Sequence, residues 1–167
     1  MSHNIYGQNL DQKNDSLVFE QDIFSSNNTL FCSLTFNIKE FRKDKMEGNK
    51  IPAILTYHKS DSVSVHRDIY LMARGQSRKT ICYFPPIKLK LKHVSFEDPY
   101  MDQVKNQKLV THCGTTKSSN QTLLKEYLVY KLYNVLTEQS FKVRLMEMNY
   151  IDSEQKVKTI NRNAFLI

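Results

Sequence analysis

Apolar and polar residues alternate with a period of two in several separate stretches of this chain, and recur with a helical period in one. From Thr29 onward, Cys32, Leu34, Phe36 and Ile38 alternate with Ser33, Thr35 and Asn37, the pattern of a strand that buries one face. Ala53 to Tyr57 and Ser62 to Ala73 are two β-rich runs joined by the polar Lys59-Ser60-Asp61, which predicts an antiparallel hairpin. After Pro85-Pro86, Ile87 to Lys92 alternates strictly. Ile87, Leu89 and Leu91 share one face and Lys88, Lys90 and Lys92 the other. Gln107 to Cys113 is a further short β-like run, and Phe141 to Ile151 alternates again. A polar turn at Asp152 to Gln155 then leads to a last run that ends in Ala164-Phe165-Leu166-Ile167.

The helical signal comes from Leu123, Leu124, Tyr127, Leu128, Leu132, Val135 and Leu136, spaced at three and four residues, while Lys125, Glu126, Lys131 and Asn134 fall largely on the other side. This predicts one long helix over about 119 to 137, with Ser118 or Ser119 as its N-cap. The stretch Lys39 to Lys50, closed by Gly48 and Asn49, predicts a turn or short helix. The expected fold class is α+β: a twisted, mainly antiparallel sheet with the long helix (119–137) packed on it. Residues 1–28 are polar and are expected to form a flexible lead-in, leaving 29–167 as a single domain with no internal repeat and no linker dividing it. The bare apolar ending has two readings. It is the tucked end of an interior strand, or the mark of truncation, with Phe165 to Ile167 docking onto a missing lobe or a second chain.

Composition narrows the classes. With 167 residues, 40% apolar and 25% charged, and no unbroken apolar run near the ~18 to 20 residues of a membrane span, the chain reads as one globular domain without a transmembrane helix. The net charge of +7 favours anionic partners, but the basic residues are spread along the whole chain rather than concentrated, which disfavours nucleic acid. The N-terminus lacks a basic region followed by an apolar one, so either the protein is cytoplasmic or a leader was removed before Met1. Three cysteines, Cys32, Cys82 and Cys113, allow at most one internal bridge.

Catalytic and metal signatures are sparse. The sequence has no phosphate-binding glycine loop, no His-Glu-x-x-His and no nucleophile elbow, and its five histidines are scattered. His112 beside Cys113 raises zinc ligation or a nucleophile–base pair, but neighbours on a strand point to opposite faces. No metal site is expected. Three clusters stand out: Arg74-Gly75-Gln76-Ser77-Arg78, where Gly75 lets backbone N–H groups approach an anion that two arginines grip; the lysine face of Lys88, Lys90 and Lys92; and Glu126 on the helix, able to orient a strand lysine. Each has a plainer reading as a solvated turn, a solvated strand face or a wet helix flank.

In order, Ala73 to Lys90, Lys108 to Cys113, Leu123 to Asn134, Ser140 to Leu145 and Tyr150 to Asp152 resemble a group of uncharacterised bacterial proteins over roughly residues 70 to 167. That group in turn resembles the CotH spore-coat kinases, through an Arg-Gly-x-Ser turn before a lysine-bearing strand and a Leu-Leu-x-x-x-Leu-x-Tyr helix. The resemblance implies an atypical kinase-like fold of which this chain is the N-terminal lobe, ending at a hinge-like strand. Lys90 or Lys88 would contact phosphate, Arg74 to Arg78 would form the turn near the phosphates, and Glu126 would be the helix partner of the lysine. Mg-ATP would be the cofactor, yet the chain would be catalytically incompetent, because phosphoryl transfer needs the second lobe's base and carboxylates. The resemblance also implies an exported protein, periplasmic or at the cell surface, with a Cys82–Cys113 disulfide. A different reading from the residues alone is a non-enzymatic binding module that meets an anionic or protein partner through its basic sheet face.

Overall fold

The computed structural model describes residues 23–60, 62–91, 94–97, 99–102 and 107–167. The expected lead-in at 1–28 lies outside the described residues up to position 22, as does Lys92. The described part of the lead-in is anchored: Ile23 is fully buried in the main core.

Among the described residues, seven strands close into a barrel in the order β1-β2-β3-β4-β5-β7-β6. They are β1 Leu30–Phe36, β2 Ile51–Ser60, β3 Val63–Ala73, β4 Ile87–Lys90, β5 Lys108–Val110, β6 Arg144–Asp152 and β7 Ile160–Leu166. Neighbours pair antiparallel except β1 and β6, which run parallel from Leu30↔Met146 to Phe36↔Asp152 and close the ring. The expectation of an open twisted sheet carrying a long helix, like a kinase lobe, is therefore corrected. Alternation places Cys32, Leu34 and Phe36 inside as read, but the same alternation serves an open sheet and a closed one. The closing contact joins strands more than a hundred residues apart.

A barrel of this size has room for side chains and no channel. Leu34, Leu55, Leu71, Leu89, Met148 and Leu166, one from each of six strands, sit in one buried cluster. β6 shows the strictest pattern, with Arg144, Met146, Met148, Tyr150 and Asp152 buried and the residues between them half-exposed. β7 lies between β5 and β6, pairing with β5 at Phe165 and Leu166, both fully buried.

Among the described residues four helices surround the barrel: α1 Ile38–Lys43, α2 Gln76–Ile81, α3 Pro99–Asp102 and α4 Lys117–Leu136. The cap of α4 is Thr116, whose Oγ1 accepts from the Ser119 N–H at 3.2 Å, and not Ser118 or Ser119. Helix α4 packs on the outside of the barrel wall. It touches the barrel through Leu123, Leu124, Tyr127 and Tyr130, which meet the outward-facing Phe165, Val110 and Val143 in a small second core. The rings of Tyr127 and Tyr130 stand 5.9 and 5.8 Å from that of Phe165. The other side of the helix is bare, with Leu132 58% and Val135 83% exposed.

Candidate functional site

One end of the barrel gathers most of the residues singled out by sequence. β3 ends at Ala73, and the Arg74 N–H donates to the Pro86 carbonyl at 2.8 Å, so the backbone turns back into β4 through α2. The turn requires Gly75, whose φ of 84° lies in the left-handed region that costs an L side chain strain. Gly75 is thus the N-cap of α2, with Arg74 just before it and Ser77 and Arg78 in the helix's first turn. Helix α2 faces α4, and the Arg78 Nη2 donates to both Glu126 carboxylate oxygens at 3.0 and 2.9 Å. Glu126 therefore pairs with Arg78 and not with a β4 lysine, and with both side chains about a third exposed the pair adds little stability. Arg74, Gly75, Ser77, Arg78, Glu126 and Lys108 line one cleft of about 410 Å³. Burial, followed by the neighbouring Arg78 charge, lowers the affinity of Arg74 for its proton.

Lys88 and Lys90 face outward from β4, half-exposed, because Ile87 and Leu89 take the inward positions. The two candidates for contacting phosphate thus stand on the outer face of the barrel. Their register gives them a different meaning. Lys88 stands directly opposite Lys108 of β5, and directly opposite residues share a face of the sheet. The Lys90 ammonium is held below the usual lysine range, first by the charge of Lys88, then by burial, then by the charge of Lys50 at the start of β2. Lys50 just before β2, Lys88 and Lys90 of β4 and Lys108 of β5 thus form a cationic strip, interrupted on β3 by Tyr70 and Met72, whose Lys108 end lines the Arg74 cleft. Lys108 was not singled out by sequence, since a lone lysine at the start of a three-residue strand gives no signal. Its cross-strand register is what places it in the strip.

Cys82 and Cys113 are joined in a disulfide, and Cys32 is free and buried inside the barrel, where burial pushes its thiol up to about 12. Cys113 is therefore no nucleophile for His112. His112 is 2% exposed, its ring stacked on Phe84 at 4.9 Å, and Nδ1 has no hydrogen-bond partner among the described residues. Burial, followed by the charge of Arg162, lowers its pKa to about 4. The unfolded chain therefore binds a proton near the ordinary value of 6.5 while the folded chain refuses it until about 4. Stability contributed by neutral His112 is complete above pH 6.5 and falls as pH drops towards 4, by about 3 kcal/mol in all. Urea unfolding between those pH values should show this slope in the parent and a flatter one in His112→Gln.

Among the described residues no group of three or more His, Cys, Asp or Glu could hold a metal ion, and no helix is long and apolar enough to cross a membrane. No family model, curated protein or solved structure matches the chain. Together with the closed barrel, this leaves nothing that links the chain to the CotH proteins or to kinases. What the fold and the site define is a small closed barrel with Lys50, Lys88, Lys90 and Lys108 brought near one another beside the Arg74 cleft.

Proposed function

We propose that the protein is a non-enzymatic binding module that holds an anionic partner, such as an acidic protein segment, on the outer face of β2 to β5 and the adjoining Arg74 cleft. The observation that carries this reading is the Lys88–Lys108 pair. Like charges directly opposite on a sheet destabilise it, so two lysines in register, crowded further by Lys90 and Lys50, form an arrangement that a bound anion relieves. The excess of seven positive charges draws such a partner from a distance. Arg74 adds a guanidinium able to hold a carboxylate or phosphate with two parallel hydrogen bonds at the rim of the cleft. Arg78, already held by Glu126, positions the cleft wall rather than the ligand.

The test is anisotropy of a fluorescein-labelled polyglutamate peptide titrated with the protein at increasing salt. Binding is expected at low ionic strength and should weaken at least tenfold as the screening length shrinks between roughly 50 and 200 mM salt. Binding that ignores salt, or no binding at the lowest ionic strength, would contradict the reading.

A further inference from the structure

The outer side of α4 carries an apolar strip whose exposure the barrel does not explain. Leu128, Val129, Leu132, Tyr133, Val135 and Leu136 are 53 to 83% exposed, and none of the six is charged. At about 100° per residue they fall within an arc of roughly 160°, away from the Leu123, Tyr127 and Tyr130 flank that touches the barrel. Monomeric proteins seldom leave a contiguous patch of this kind in water. The fold could have spared the cost by placing polar residues there, as it does in the first two turns of the same helix, where Lys117, Ser118, Gln121 and Thr122 are the exposed residues.

We propose that this strip is the contact through which two copies of the chain pair, α4 against α4, antiparallel about a twofold axis near Leu132. Two features single out a second copy. The first is area: at these exposures the six residues present on the order of 700 Å², close to the ~800 Å² that each partner contributes to a standard interface. The second is charge. Lys125 is exposed on the same arc one turn before Leu128, and Glu138 is exposed just beyond the helix end. Antiparallel pairing about Leu132 brings Lys125 of each copy level with Glu138 of the other, so the strip is flanked by opposite charges that match only in the self-complementary arrangement. The cationic strip of β2 to β5 lies outside this contact, so the pairing stands or falls separately from anion binding, and a pair would present two such faces to one multivalent anion.

Sedimentation velocity of the purified chain across the micromolar range tests it. The expected result is a reversible dimer of twice 19.6 kDa, converted to monomer by Leu132→Glu, with far-UV circular dichroism unchanged because the site is on the surface. Lys125→Glu alone should weaken dimerisation about tenfold, and adding Glu138→Lys should restore it. A monomer at every concentration overturns the proposal, whether the strip then binds lipid vesicles, another protein or nothing. A dimer that survives Leu132→Glu overturns it as well.

Discussion

Asp152→Ala is expected to lower the unfolding free energy by about 3 to 5 kcal/mol. Asp152 ends β6 and is 3% exposed. Its Oδ1 accepts from the Ile38 N–H at 3.0 Å, at the start of α1, and its Oδ2 accepts from the N–H groups of Lys156 at 2.8 Å and Val157 at 3.1 Å in the β6–β7 turn. One carboxylate thus ties β1, α1 and the hairpin that leads into β7. Burial by itself would raise its pKa, but these backbone N–H bonds outweigh burial and hold the carboxyl below the usual range. Its contribution is present above the unfolded value of 3.8 and is lost as pH falls through the lower folded value, a window that begins where that of His112 ends. Alanine leaves three donors without acceptors. Asparagine keeps one carbonyl and should cost about half as much. Urea denaturation of the two variants gives the order, and an alanine variant that loses less than about 1 kcal/mol would contradict this account of the turn.

The second large effect is the loss of the Cys82–Cys113 bond, which closes a loop with a sequence separation of 31. Cross-linking a loop of that length restrains the unfolded chain by about 3 to 4 kcal/mol. The bond fixes the end of α2, and with it the Arg74 cleft, to the segment between β5 and α4, where the Phe84 N–H also donates to the Cys113 carbonyl at 2.8 Å. The Cys82→Ser/Cys113→Ser double variant should melt about 10 °C below the oxidised parent for a chain of this size. Adding a reductant should lower the parent to meet it and leave the variant where it is. Equal melting temperatures under oxidising conditions would show that the bond does not form in solution.

Local structure was legible in the sequence where the signal is local. The alternation in Cys32 to Phe36 and in Ile87 to Leu89, and the turn chemistry after Asp152, follow from residues a few positions apart. The closure of the barrel was not. It depends on β1 meeting β6, a parallel pairing between distant segments with no turn to specify it, and on β5 and β7, which are short or polar and carry weak patterns: Ile160-Asn-Arg-Asn-Ala-Phe-Leu166 has three polar residues in its first half. The same limit governed the site. Arg74, Gly75, Ser77, Arg78 and Glu126 do converge on one cleft, yet the partner of Glu126 turned out to be Arg78, because which face of α4 meets α2 is set by Leu123 and Tyr127 packing on Phe165. Lysine 108 entered the strip through register alone, which a reading of one strand at a time does not supply.

The cationic strip is most directly tested by one variant measured two ways. Lys88→Glu turns the like-charged pair with Lys108 into an opposite-charged one, so the free protein should melt at the same temperature or a degree or two higher, while its affinity for polyglutamate at low salt falls at least tenfold. Binding lost while stability holds is the signature of a surface kept for a partner. Unchanged affinity for polyglutamate in this variant would contradict the account.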